Sequence, residues 1–136
     1  MNDRPTVAEL VAAAQHFLET ELLPTLTDAR LKFQTLVAAN VLSIAGRELE
    51  TEEGQLLEEW HWLAGLLHEE GQPPPRLVAL RQAVREGNAR LCEQIRAGAF
   101  DDPARFTELG HQLGQLVERK LAVANPRYLA GFKAKD

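Results

Sequence analysis

Apolar residues recur at helical spacing along nearly the whole chain, in stretches separated by proline, glycine and capping residues. Thr6 followed three residues later by Glu9 is a capping-box pattern, and Val7, Leu10, Val11, Ala14, Phe17, Leu18 and Leu22 then form one face up to Pro24. His16 points away from that face and is expected in solvent. A second helix is predicted from Thr27 or Asp28 to Glu48 with two apolar faces: Phe33, Leu36, Val37, Val41 and Ile44 on one, Leu31, Ala38, Leu42, Ala45 and Leu49 on the other. A helix apolar nearly all round belongs at the centre of a fold.

After Glu50 and Thr51 a third helix carries Leu56, Leu57, Trp60, Leu63, Ala64 and Leu67 on its main stripe, with Trp62 and Leu66 on a second face. Gly71 and the Gln72-Pro73-Pro74-Pro75 connector stop it, because proline fixes its own φ and restricts its predecessor. Leu77, Leu80, Val84, Leu91 and Ile95 mark a fourth helix ending near Gly98. Asp101 or Asp102 before Pro103 caps a fifth, which uses Phe106, Leu109, Leu113, Leu116, Val117 and Leu121 and ends near Asn125-Pro126, leaving residues 126–136 as a short tail. No alternating run is long enough for a strand. The prediction is an all-α bundle of about five helices over residues 1–136, one domain, with helix two (about 28–48) central.

Composition narrows the function classes. Hydrophobic residues make up 45% of 136, enough for one core and not two. The net charge of −5 lacks the basic balance of a phosphate-binding surface, so nucleic acid is not an expected partner. The longest apolar stretch, Leu36 to Ala45, is interrupted by Asn40 and Ser43 and falls short of a membrane span. The N-terminal Met1-Asn2-Asp3-Arg4-Pro5 shows no export signal, and the lone Cys92 fits a reducing compartment; the expected location is cytoplasmic. Cys92 lies toward an apolar stripe and is expected to fill core. Charge is uneven, with one Arg against eight Glu in residues 46–72 and five basic against two acidic groups in 118–136. Those segments are either solvated faces or docking surfaces in trans.

Two Glu-x-x-His spacings, Glu58 with His61 and Glu108 with His111, match the ligand pattern of di-iron bundles. Such ligands must point inward, whereas Glu58 lies about 160° from its apolar stripe and Glu108 and His111 nearly opposite theirs. His61 and His68 are two turns apart, about 10.5 Å, too far for one ion. No metal, cofactor or catalytic residue is expected.

Polar residues on faces that should be buried carry more information: Asn40, Asn88 and Lys120. Each needs a partner or costs a few kcal/mol. They either fix helix register or line a polar pocket among the second, fourth and fifth predicted helices, edged by Arg47, Arg81 and Arg85, that takes an anionic small molecule. Gly110 and Gly114, one turn apart and each costing about 1 kcal/mol against Ala, are expected to mark a close helix approach.

Three stretches carry a resemblance: Arg4-Pro5 with helix one and Leu23-Pro24; Arg30-Leu31-Lys32-Phe33 through Ala38-Ala39-Asn40 to Arg47-Glu48-Leu49; and Lys120 through Asn125-Pro126-Arg127-Tyr128-Leu129. Together they resemble an uncharacterised family of small helical bacterial proteins. The resemblance implies association with aminoglycoside-phosphotransferase-like kinases and acyl-CoA dehydrogenase-like proteins, beside or attached to which members are typically encoded; it supplies no activity. It singles out Arg30, Asn40, Arg47, Glu48, Lys120, Asn125, Arg127 and Tyr128, overlapping the polar positions above. Asn125 would terminate the fifth helix, and Arg127 would pin the tail by pairing with Glu48.

The resulting expectation is a non-catalytic accessory or protein-interaction module, partnering a phosphotransferase-like or dehydrogenase-like protein. Its candidate binding residues are Asn40, Arg47, Glu48, Asn88, Lys120, Asn125, Arg127 and Tyr128. The alternative is an anionic-metabolite binding protein or enzyme subunit using the polar pocket. A homodimer closed by Trp60, Trp62 and Leu66 is a third reading, on the enrichment of aromatic residues at interfaces.

Overall fold

A computed structural model of the chain describes residues 4–134; Met1-Asn2-Asp3 and the last two residues of the expected tail lie outside it. The described residues are all-α and contain no strand. Five α-helices follow in order: α1 (Val7–His16), α2 (Ala29–Leu66), α3 (Leu77–Arg96), α4 (Pro103–Ala124) and α5 (Pro126–Lys133). None is long and apolar enough to cross a membrane.

Local signals place most boundaries. At the start of α1, Glu9 N–H donates to Thr6 Oγ1 at 3.2 Å and Thr6 N–H to Glu9 Oε2 at 2.7 Å, the reciprocal capping box. Beyond α1 the ladder widens over Phe17–Leu22 and tightens over Leu23–Thr25. Pro24 has no N–H to give and its ring would strike the carbonyl four residues back, so the wider turn relieves the clash. Asp28 Oδ1 accepts from Leu31 N–H at 2.8 Å and starts α2. Gly98, at φ 82°, ends α3 with Ala99 N–H bonded back to the Gln94 carbonyl at 3.0 Å. Asp102 Oδ1 accepts from Ala104 and Arg105 N–H, both at 3.1 Å, with Pro103 opening α4.

Two boundaries differ from expectation. The second and third predicted helices are one, because Thr51 caps nothing: its hydroxyl donates to the Arg47 carbonyl at 2.9 Å inside a continuous helix. Gly54 weakens that stretch by about 1 kcal/mol without ending it. The expected tail is the helix α5, with Pro126 at its first position, where a missing N–H costs no bond.

The chain falls into two compact units. Of the described residues, the first comprises those up to Thr51 with Val123–Asn125. In it Val11 Cγ1 stands 3.8 Å from where a Cβ on Gly46 would lie, so the start of α1 packs on the part of α2 near Gly46. Arg47 Nε donates to the Val123 carbonyl and Nη1 to Ser43 Oγ, both at 2.6 Å. A guanidinium on a carbonyl of the last turn of α4 also meets the negative end of that helix.

Residues 28–48 are not a buried centre. Ala39 is buried, but Phe33 is 67% and Val41 56% exposed, and Leu31, Leu36, Val37 and Leu49 are exposed too. One short helix beside them cannot cover two apolar faces.

Of the described residues, the second unit comprises Glu52–Ala122 and those from Pro126 onward. Its core is Leu63 of α2, Leu80, Val84 and Leu91 of α3, Phe100, and Leu109 of α4, with Leu56, Leu57, Trp60, Trp62, Leu66 and Leu113 packed around it. Gly87 lets α2 and α3 approach closely: a Cβ there would come within 3.0 Å of Leu63 Cδ1. Cys92 is exposed, not core filler, since the stripe of α3 is centred on Leu80, Val84, Gly87 and Leu91. Gly110 and Gly114 are exposed with nothing within 4 Å of an added Cβ, so the close approach expected at them occurs at Gly87. Replacing Gly110 or Gly114 by Ala is therefore expected to stabilise the protein by about 0.5–1 kcal/mol each in chemical denaturation. Gly87→Ala is expected to forfeit that gain against Leu63; equal stabilisation at all three positions would contradict the assignment.

Candidate functional site

The C-terminal half of α2 lies against α3 and α4 within the second unit, and its acidic residues are placed by that packing. Glu59 is 5% exposed, the one buried charged side chain among the described residues. Asn88 Nδ2 donates to Glu59 Oε1 at 2.7 Å and to the Val84 carbonyl at 3.1 Å. Lys120 Nζ stands 3.6 Å from Glu59 Oε2, its side chain 61% exposed. One turn of α2 thus meets an amide from α3 and an ammonium from α4. No buried side-chain nitrogen or oxygen among the described residues is left without a partner.

Beside this node Arg119 Nη1 donates to Glu58 Oε2 at 2.6 Å, so consecutive basic residues on α4 pair with consecutive acidic residues on α2. Lys133 of α5 pairs with Glu118 at 2.7 Å. Part of the charge asymmetry between residues 46–72 and 118–136 is thereby neutralised within the chain.

Asn88 and Lys120 are brought together over Glu59, which the sequence reading missed. Asn40, Arg47 and Glu48 belong to the other unit: Asn40 and Glu48 are exposed, and Arg47 is held by Val123 and Ser43. Asn125 lies between α4 and α5. Arg127 and Tyr128 are exposed on α5. A signal for Glu59 was present, since it precedes Trp62 and Leu63 by three and four residues and so lies between the two apolar faces of its helix.

Next to the node runs a groove of about 640 Å³ lined by Trp62, Leu66, Phe100 and Leu109, with His61, Arg105, Glu108 and Gln112 as its polar groups. A second hollow of about 320 Å³ shares His61, Trp62 and Gln112 and adds Glu58, Leu116 and Arg119. Arg105 lies over the Phe100 ring at 4.9 Å, and Trp60 meets His61 edge to face at 5.1 Å. Trp62 and Leu66 therefore line an apolar trough, while Trp60 packs on the core.

Both Glu-x-x-His pairs are exposed and otherwise engaged. His61 Nδ1 donates to the Leu57 carbonyl at 2.7 Å, Gln112 donates to Glu108 at 3.0 Å, and Gln115 lies 3.0 Å from His111. Among the described residues no three His, Cys, Asp or Glu side chains are grouped to hold a metal ion.

Arg81 grips Glu52 with both nitrogens of its fork, Nη2 reaching Oε2 at 2.6 Å. These hydrogen bonds hold the Glu52 carboxyl below its ordinary range, against the opposing effect of burial, and the guanidinium charge adds to the lowering. A lowered carboxylate stabilises the fold fully above its unfolded value, and that contribution fades as pH falls through the lowered one. The melting deficit of Arg81→Ala is accordingly expected to be full near about pH 6 and to shrink toward about pH 2; a deficit constant across that range would contradict it. Asn88→Ala strands one oxygen of the buried Glu59 carboxylate and is expected to cost about 1–3 kcal/mol in denaturation. A loss below about 0.5 kcal/mol would show that Asn88 does not support the node.

Comparison of the chain with curated proteins found no match, and comparison with solved structures found none. A family match covers residues 24–128, from Pro24 through Tyr128, and takes in most of both units while omitting α1. The chain belongs to the DUF6285 family, a domain of unknown function.

Proposed function

We propose that the chain is a protein-interaction module whose second unit receives a helix of its partner in the groove between α2 and α4. The observation that carries this reading is the length and lining of that groove. Its α4 residues run from Ala104 and Arg105 through Glu108, Leu109, Gln112 and Leu116 to Arg119. That is about 15 residues, or some 22 Å of helix. A groove of this length, apolar at Trp62, Leu66, Phe100, Leu109 and Leu116 and polar toward Glu58 and Arg119, suits an amphipathic helix whose apolar face is strongest over its half near Phe100. Trp62 supplies the kind of aromatic anchor that dominates such contacts.

The partner class comes from the family resemblance alone: a phosphotransferase-like kinase or an acyl-CoA dehydrogenase-like protein. An anionic metabolite held by Asn88 and Lys120 is less well supported, because both groups already serve Glu59.

The test is calorimetric titration of the purified chain with a purified kinase-like and a dehydrogenase-like protein encoded beside it. Saturable binding to one of them is expected, weakened by about tenfold or more in Trp62→Ala and in the rim variant Gln112→Arg. Gln112 is only half-buried, so its variant guards against misfolding. Binding to neither protein, or binding indifferent to both substitutions, would overturn the proposal.

A further inference from the structure

The groove between α2 and α4 has a counterpart in the first unit, an uncovered face of α1. That helix packs on α2 through Ala8, Val11 and Gln15, which line a small hollow with Ser43 and Gly46. About 110° round the helix from that side, Val7, Leu10 and Phe17 are 63%, 55% and 54% exposed, and Ala14 between them is exposed as well. At about 100° per residue the four lie within about 80° of one another, the spacing by which an amphipathic helix seats in a groove. With the wider turns that end at Leu22 the segment is about 16 residues, some 22–24 Å, which is the length of the groove.

The charges of the two surfaces are complementary. Between Arg4 and Arg30 the chain has no lysine or arginine and four acidic residues, Glu9, Glu19, Glu21 and Asp28. In the groove Arg119 is paired with Glu58, and Glu108 accepts from Gln112. Arg105 lies over the Phe100 ring and has no ion-pair partner among the described residues. The unpaired cation of the groove is therefore at its apolar end. Glu21 is exposed and stands one wide turn beyond Phe17, on the same side of the helix.

We propose that α1 of a second copy fills this groove, each α1 seating in the groove of the other copy to close a twofold dimer. No residue of α1 lines the groove of its own chain, and Val11 keeps α1 against Gly46 within the first unit. Phe17 lies over Trp62, Leu66 and Phe100, and Glu21 then meets Arg105. The start of α1, its positive end, points toward Glu58, and α1 runs antiparallel to α4 with the two helix dipoles opposed. A helix of this length, about 10 Å across and sunk to half its girth, covers about 350 Å². With the groove walls and the second contact the pair buries about 1,400 Å², within the range of stable dimers. Length, charge and area together select a second copy as the occupant. The inference rests on the reading that the groove takes a helix, and it adds a regulation: the self-pair keeps the groove filled until a partner's helix displaces α1.

Sedimentation equilibrium of the full chain, with no partner present, is expected to show a dimer. Phe17→Ser and Gln112→Arg are each expected to weaken it about tenfold or more, with helix content by circular dichroism unchanged because neither side chain is core. Glu21→Arg and Arg105→Glu are each expected to weaken it, and the two together to recover wild-type association to within about threefold. A mixture of the Phe17→Ser and Gln112→Arg chains retains one intact α1 and one intact groove, and is expected to associate at least about threefold more tightly than either alone. A monomer at about 100 µM would overturn the proposal. So would a dimer indifferent to Phe17→Ser or Gln112→Arg, a double charge reversal as weak as the singles, or a mixture no better associated than its components. A monomer that still binds the kinase-like or dehydrogenase-like protein through the groove would sink this inference alone, so the two failures are distinguishable.

Discussion

The constraint on which the structure depends is the uninterrupted hydrogen-bond ladder of α2 through residues 50–54. A helix of 38 residues is about 57 Å long, longer than any one core of this size covers. Its C-terminal half has α3 and α4 against it and contributes Leu63 to the core. Its N-terminal half has α1 beside it and keeps its apolar side chains in solvent.

Within the second unit, burial of one carboxylate organises the polar contacts. Glu59 comes out of water because Leu63, one turn on, is a core residue; the charge then requires Asn88 and Lys120, which come from α3 and α4. An apolar residue at 59 would pack as well but would not select the register of three helices. The neighbouring Glu58 pairs with Arg119 at the surface, where screening leaves the contact of little energetic weight. Two adjacent glutamates therefore differ in role through a 100° rotation about the helix.

Much of the fold was legible in the sequence where the determining contacts are local. The Thr6 and Glu9 capping box, Asp28, Gly98 and the Asp102-Pro103 start each act within a few residues, and each is where the pattern put it. The break expected after Glu50 and Thr51 is absent because nothing there stops a helix: the Thr51 hydroxyl is satisfied by the carbonyl four residues back. Gly110 and Gly114 misled because their propensity cost implies a packing reason that their exposed positions do not supply. Gly87, which has that reason, drew no notice on an otherwise ordinary stripe. The candidate site was half legible: Asn88 and Lys120 stood out as polar residues on apolar faces, but their common partner Glu59 emerges only from the packing of α2 against two later helices.

The most direct test of this account is residue-resolved amide hydrogen exchange along α2. Continuous protection through residues 50–54, joining that of the flanking turns, is predicted. Fast exchange at those amides between two protected stretches would mean two helices and a turn, and would contradict the division of α2 into a covered and an uncovered half.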